Sequence, residues 1–551
     1  MIATTNQMTP RPQSAIDTAH QTRGRPAALR SHIRAATLLA LTLVLPPAHA
    51  EPPFVCPRTG GALVFALEAA PATLDPMITA AAPSRDIAMN IFESLVTRDE
   101  DNQPILDLAE ALEESPDHLT FDFTLRADIV FHNGKTMTAA DVAASFARYA
   151  RIGGQRALLD IVASWSTPNP RHFILHLKSA QPMLIEALSS FLVPLVIMPA
   201  EDSAIPANKL TNPVGTGPFR LAKPNPDLAA DVTLTRHDAY QPNPAFAQRT
   251  GFGGHKRACL DTVTFRAVTD AAARAAGLAD AELDGVEDLS PKAQTALKDD
   301  PGVIVIPVPE WSIQLAIPNT AAAPTDNLDF RRAVQAALDM DDIMDAAASG
   351  NYSLNAGFRY PGDPTDAAQD TYNLHDPPLA RHLLAAAGYG GEPVILLTNL
   401  DYPPMYNAAI AVQQQLQALG VNAQVKVVDW PTSLAMASIP DARWNLFFTA
   451  RNIRPMPGPL ETMRFLTGPT AEYRPRGGTN DPDLQEAWRV LTAAATPGER
   501  RLAFLQMRAI TQTRVYALPF GAFTKVQAIR SRVKGFVPFR IPRMANVWVT
   551  E

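Results

Sequence analysis

Leu119–Arg151 reads LTFDFTLRADIVFHNGKTMTAADVAASFARYAR, and three local signals follow one another through it. Leu119, Phe121, Phe123 and Leu125 alternate with Thr120, Asp122, Thr124 and Arg126, which is the period of a half-buried strand. His132-Asn133-Gly134-Lys135 is turn chemistry, because Asn and Gly tolerate positive φ. Thr138 followed three residues later by Asp141 is a capping box that opens a helix. Val142, Phe146 and Tyr149 then recur at i, i+4 and i+7, so one face of that helix is apolar. Strand, turn and capped helix are thus expected in that order.

Working outward, the first 50 residues read as an export signal. Arg11, Arg23, Arg25, Arg30 and Arg34 stand against one acid, Asp17; Ala35–Leu45 is apolar; Ala48-His49-Ala50 is a small-x-small cleavage site. The apolar run is about half of the roughly 20 residues that a membrane-spanning helix needs. Cleavage near Ala50 would leave about 500 residues, enough for two or three domains. It would also leave a chain more acidic than the full-length net charge of −7, which argues against nucleic acid as a partner. The two cysteines, Cys56 and Cys259, suggest one disulfide in an oxidising compartment, with two separate buried thiols as the alternative. Each precedes an expected strand, Leu63–Leu67 and Thr262–Val268, and neighbouring parallel strands would bring them together. Pro53-Phe54-Val55 lacks the small residues of a lipoprotein box before Cys56.

Further strands are expected at Arg171–Lys178, antiparallel to the first, and at Gly60–Leu67, Val232–Thr235, Val303–Pro307, Val394–Asn399 and Val421–Val428. Helices are expected at Ile87–Leu95, Ala180–Phe191, Ala271–Leu278, Phe330–Leu338, Met405–Leu419 and Pro497–Thr511. Gly420 would end the Met405 helix as its C′ residue. The strand–helix–strand unit around it implies parallel strands with a right-handed crossover. Leu518–Phe536 reads as extended and returning. In Asn212–Leu221, Gly215-Thr216-Gly217-Pro218 describes a backbone approach too tight for side chains. Proline, 50 of 551 residues, is well above the roughly 5 % average, and with no Pro-rich run it points to many irregular loops.

The opening stretch resembles the signature of the family-5 extracellular solute-binding proteins, the periplasmic dipeptide/oligopeptide/nickel-type binding proteins of ABC transporters. Other pieces resemble that family in the same order. They are Gly60-Gly61-Ala62-Leu63-Val64 with Leu74-Asp75-Pro76, Phe92-Glu93-Ser94-Leu95-Val96, the intact GTGPF motif in Asn212–Leu221, Phe330–Asp339, and Leu416–Trp430. The resemblance implies an α/β, two-lobe periplasmic-binding-protein fold of the cluster C type, with an extra helical/antiparallel subdomain in the first lobe. It implies a first-lobe core from 51–95, 211–312 and 518–551, the extra subdomain at 96–210, and a second lobe at 313–517. The lobes would be joined near Pro309–Ile317 and Tyr516–Phe523. A monomer that closes on a small-molecule or short-peptide ligand and delivers it to an inner-membrane ABC permease is the implied function, with no cofactor and no nucleic acid.

The informative departure lies in Trp444–Met463. Peptide binders of the family usually carry an Asp here, after an aromatic, for the peptide's ammonium. This chain has no acid between Trp444 and Glu461, and has Arg451, Asn452 and Arg454 instead. A guanidinium fork suits carboxylate or phosphate, so an anionic group on the ligand is one reading; surface or interlobe-bridging arginines are the other. Trp311, at an expected crossing, could stack on ligand or pack the hinge. Tyr402, in the loop Asp401–Pro404 at a strand's C-terminal edge, is a further ligand candidate; Tyr406 suits core or rim packing. His132 has no second His at i+3 or i+4, so a turn role is expected of it and no metal is expected. Gly134-Lys135-Thr136 fails as a phosphate loop because position 129 is Ile, and neither G-x-S-x-G nor H-E-x-x-H occurs. An exported hydrolase, or a periplasmic sensor or chaperone without transport, is the weaker alternative.

Overall fold

The structure is a computed structural model; it describes residues 51–127, 129–206, 210–225, 227–228, 231–354, 358–360, 373–439, 443–452, 463 and 480–551. Its main sheet is built from β1 (Ala62–Leu67), β2 (Phe219–Leu221), β3 (Val232–Arg236), β4 (Thr262–Ala267), β5 (Gly285–Val286), β6 (Val303–Pro318), β7 (Val394–Thr398), β8 (Ala423–Val427), β9 (Leu446–Asn452) and β10 (Leu518–Arg530). The spatial order is β8-β7-β9-β6-β10-β5-β1-β4-β3-β2, with the short strand Tyr352–Ser353 pairing with β10 off this path. The sheet has two parallel centres. β1 lies between β4 and β5, and β7 lies between β8 and β9. Strands of this kind are covered on both faces, which is why ALVFAL and VILLT are almost continuously apolar.

Around the first centre, a separate four-stranded antiparallel sheet joins Ala109–Glu114, Thr120–Leu125, His172–Leu177 and Val162–Asn169. Phe121, Phe123 and Leu125 are buried as their alternation requires, and Phe123 faces Phe173 across the ladder. The capped helix α2 (Ala139–Ile152) covers this sheet, following α1 (Ala82–Ala88) in the chain. The Thr138–Asp141 box is formed: the Thr138 N–H donates to Asp141 Oδ2 at 2.9 Å. Val142, Phe146 and Tyr149 are buried, with the Phe146 ring 4.7 Å from that of Phe173.

The second centre is a β7–α3–β8 unit in which α3 (Pro403–Ala418) returns the chain for parallel pairing. Ala408, Val412 and Leu416 form its buried face, and Gly420 follows the C-cap Leu419 at φ +85°. The two faces of this half-sheet carry separate apolar clusters. Ala316, Leu396 and Phe448 belong to one; Leu315, Ile317, Leu397 and Phe447 belong to the other.

Cys56 and Cys259 are disulfide-bonded, with Cα atoms 5.5 Å apart. They precede β1 and β4, which pair in parallel with Ala62 opposite Thr262. No helix among the described residues is long and apolar enough to cross a membrane.

Three elements differ from the sequence expectation. The helix expected at Ile87–Leu95 is α1, at Ala82–Ala88, because Pro83 suits a first turn and the chain beyond Ala88 turns to meet another segment. The Ile91 carbonyl there accepts the Gly217 N–H at 2.8 Å, and the Asn90 carbonyl accepts the Phe219 N–H at 3.2 Å. The helix expected at Ala180–Phe191 is only Leu184–Leu188, because the Ser189 hydroxyl donates back to the Glu186 carbonyl and competes with further helix. The strand expected at Val303–Pro307 runs on to Pro318.

Candidate ligand site at the crossing strands

β6 and β10 belong to both halves of the sheet. Val303–Val308 of β6 pairs with Lys525–Arg530 of β10 beside the first centre. Ser312–Ala316 pairs with Phe523–Leu518 beside the second, and Ser312–Pro318 also pairs with Asn452–Leu446 of β9. The register shifts between Val308 and Ser312, where Glu310 has φ +54°. Pro307 and Pro309 have no N–H to give a ladder, and they flank the shift. This is where the C-terminal ends of β1, β5 and β9 converge, placing Glu68, Glu287, Asp288 and Asn452 at the crossing. Open α/β sheets bind ligands at such strand ends.

The crossing is unusually charged. From β10, the Lys525 ammonium contacts Glu287 Oε1 at 3.0 Å, reaches Glu68, and stands 4.9 Å from the Trp311 ring centroid. Burial disfavours that charge, yet Glu287, Glu68 and Asp288 outweigh it and hold the lysine above its ordinary range. Arg540 lies over the other strand's Trp311, its guanidinium carbon 4.2 Å from the ring centroid. It donates to the Trp311 carbonyl and, at 2.9 Å, to Asn452 Oδ1. Arg540 thereby joins the C-terminal segment to β6 and to the end of β9. Burial, with Arg85 beside it, pulls Arg540 down to about 9. Burial pushes Asp288 up to about 6 against the pull of Lys525. Asp86, fully buried next to Glu287, is raised well above the carboxylate range by burial and by that neighbour. Neither of its oxygens has a hydrogen-bond partner among the described residues.

Three of the residues singled out in the sequence meet here. Trp311 is in the crossing, and its ring carries two of the protein's own cations. Asn452 is opposite Ser312 and Arg451 opposite Ile313, so Arg451 shares a face with Ile313 and Asn452 does not. Tyr402 sits at the N-cap of α3, 46 % exposed, with its ring edge-on to Trp430 at 5.2 Å, at the end of β7 rather than in the crossing. Arg454 lies outside the described residues. Sequence reasoning missed Glu68, Glu287, Asp288, Lys525 and Arg540. The pair Glu287-Asp288 follows the apolar Val286 directly and was the one readable signal. Lys525 and Glu68 are 457 residues apart, so no local pattern joins them.

The motifs that carried the family resemblance meet elsewhere, and they hold one another. Glu93 Oε2 accepts the Thr216 hydroxyl at 2.8 Å, and Oε1 accepts Tyr240 at 2.8 Å and Lys256 at 2.7 Å. His132 Nδ1 accepts the Gly215 N–H at 3.2 Å, and its Nε2 donates to the Gly217 carbonyl at 3.0 Å. Burial holds His132 near 3, so it stays neutral. A Cβ on Gly217 would lie 2.6 Å from the Ile91 carbonyl oxygen, which explains the need for glycine. Arg148 of α2 pairs with Asp75 at 2.7 Å, both fully buried.

A cavity of about 590 Å³ also opens between Ile105–Ala109 and Gln241–Phe246. Its Arg126 already donates to the carbonyls of Asp107, Gln241 and Pro242, so its wall offers less unmet polarity than the crossing.

Residues 103–473 match the profile of the bacterial extracellular solute-binding proteins, family 5. A probable peptide ABC transporter periplasmic-binding protein of Sinorhizobium fredii is 25% identical over 492 residues, covering 86% of this chain and 91% of that protein. The periplasmic binding protein DppA of Helicobacter pylori, solved with the peptide STSA, superposes with a TM-score of 0.73 at 20% identity, over 90% of this chain and 99% of its own. AgaA of A. tumefaciens R10, solved with agropinic acid, superposes with a TM-score of 0.71 at 23% identity, over 89% and 99%. At these identities the two structures establish the shared fold.

Proposed function

The chain belongs to the bacterial extracellular solute-binding proteins of family 5, and from that premise we propose that it is the periplasmic capture component of an ABC importer for a peptide-like or other small polar solute. The first 50 residues serve as its signal peptide, cleaved near Ala50, and the mature monomer works in the periplasm without catalysis. Its first lobe comprises 51–95, 211–312 and 518–551, with the subdomain 96–210 attached; 313–517 is the second lobe. The lobes are joined by two crossing stretches, near Pro309–Ile317 and Tyr516–Phe523.

The observation that carries this reading is the convergence of strand ends from both centres on two crossing strands, at a cluster of buried charge. A ligand seated there contacts both lobes only when they close, so it shifts the population toward the closed state. Arg451 and Asn452 are the last two residues of β9, and Arg454 follows two residues later in the sequence. They supply the second lobe's polar contacts, with the arginines receiving an anionic group.

A thermal-shift screen of peptides, opines, sugars, phosphorylated compounds and metal chelates tests the proposal. A true ligand at a hundred times its Kd stabilises by about 2.7 kcal/mol. If solutes from none of these classes shift the protein, the capture role fails. Native mass spectrometry of protein purified without refolding identifies any solute carried through.

A further inference from the structure

A small cavity of about 20 Å³ lies apart from the crossing strands. It is bounded by Met89 and Asn90 after α1, by Arg249, Gly251, Phe252 and Lys256, and by the C-terminal segment Ile541–Ala545. That is room for one occupant of about the size of a water molecule. Its polar walls are three cations and one amide: Arg249, Arg543, Lys256 and Asn90.

Two of these four are already satisfied. The Lys256 ammonium contacts Glu93 at 2.7 Å, the Phe252 carbonyl at 2.9 Å and Asp107 at 3.4 Å. The Asn90 amide donates to the carbonyls of Asp86 and Pro542 and accepts the Met544 N–H. The two guanidiniums differ. Arg543 is 5 % exposed, with its guanidinium carbon 3.8 Å from the Phe539 ring centroid; it donates to Glu100 at 2.6 Å and to the Gly251 carbonyl at 2.8 Å. Arg249 donates to the carbonyls of Ala545 and Arg543. The Nε atom of each is buried without a hydrogen-bond partner. Burial, reinforced by Arg543, brings Arg249 down to about 9, still charged at neutral pH. Glu100 is the carboxylate that opposes this pair, and it is itself 42 % exposed. The two guanidiniums therefore bring two donors without acceptors to one small space, and the carboxylate that opposes them is itself partly exposed.

We propose that this cavity binds a single small monovalent anion, chloride by chemistry, between the Nε groups of Arg249 and Arg543. A water molecule there accepts from the same donors but leaves the charge uncompensated. A carboxylate or phosphate exceeds the volume. The bound anion fastens Ile541–Ala545 to the segment Arg249–Lys256, directly after Arg540, which braces Trp311 and Asn452 at the crossing.

Bromide in place of chloride provides the test. Crystals of the wild-type protein grown in sodium bromide should give one anomalous peak between Arg249 and Arg543; a cavity without a peak, or with water only, overturns the site. In solution, replacing chloride by gluconate at equal ionic strength should lower the wild-type Tm by about 2 °C. Arg249→Met should abolish that difference. Chlorine-35 line broadening should be present in the wild type and lost in Arg249→Gln, a second variant in case the first does not fold. Equal melting in both salts, together with absent broadening in the wild type, refutes the proposal. Neither readout uses a solute, so failure here leaves the capture function untouched.

Discussion

Two buried ionic clusters, one inside the first half of the molecule and one at the crossing, are finished to different degrees. At the motif junction, both oxygens of Glu93 are bonded, by Lys256, Tyr240 and Thr216, and Asp107 beside Lys256 leaves one oxygen, Oδ1, without a partner among the described residues. At the crossing, Asp86 is fully buried with neither oxygen bonded among the described residues, where the ion-pair partner of Asp288 is Arg274, no closer than 3.9 Å. Buried charges that are fully hydrogen-bonded hold one geometry; charges left short of partners are poised to respond to a change around them. The junction lies within the first half. The crossing lies where strands of both halves change partners. The better-satisfied cluster therefore fixes the fold, and the less complete one lies at the crossing proposed above as the hinge and solute site.

Matched substitutions probe that contrast. Glu93→Gln removes the charge opposite Lys256 and should cost about 3–5 kcal/mol of unfolding free energy in denaturant titration. A loss below about 1 kcal/mol would erase the distinction between the clusters. Asp288 provides a pH test. Its folded value of about 6 stands above the ordinary 3.8, so the folded protein keeps a proton that the unfolded chain has lost. The stability contributed by this group therefore falls as pH rises from about 4 to about 6, by about 2–3 kcal/mol. Asp288→Asn should remove that portion of the wild-type pH profile, and an unchanged difference curve across the window would contradict the burial argument.

Replacing both Arg451 and Arg454 by Ala should weaken an anionic solute at least tenfold, about 1.4 kcal/mol, while Tm moves little. Unchanged affinity in calorimetry would move the anion's partner elsewhere, Arg540, which bonds Asn452, being one buried cation at the crossing. The smallest effect is expected from Asp86→Asn, the same chemical change as in Glu93→Gln. Because the Asp86 carboxyl has no hydrogen bond to lose among the described residues, stability should change by less than about 1 kcal/mol. A cost equal to that of Glu93→Gln would show the crossing to be as fully braced as the junction.

Much of this was legible beforehand. The Thr138–Asp141 cap, the alternation at Phe121–Leu125, the β7–α3–β8 unit with Gly420, and the Cys56–Cys259 disulfide all formed as their residues suggested. The tight Gly215–Gly217 approach was also visible, though its target, the Ile91 carbonyl, was not. The same contact explains the misplaced helix: Ile87–Leu95 looked helical by pattern, but the glycine loop takes its backbone groups from Asn90 onward. At the crossing, Trp311, Arg451 and Asn452 were found by family departure and by position. Lys525, Glu68 and Arg540 have no short-range pattern, because each acquires its environment from a strand far away in the chain.

The sequence by itself determined the family, the local elements and the fold that follows from them. Periodicity, caps and turns act over a few residues, and their signals survive in the order of the letters. Only the tertiary structure decided which charges share a site. Glu68 and Lys525 meet across 457 residues, and Arg540 and Trp311 across 229. A buried charge takes its meaning from whatever the fold places within a few ångströms, and that is set by strand order and register rather than by chain neighbours.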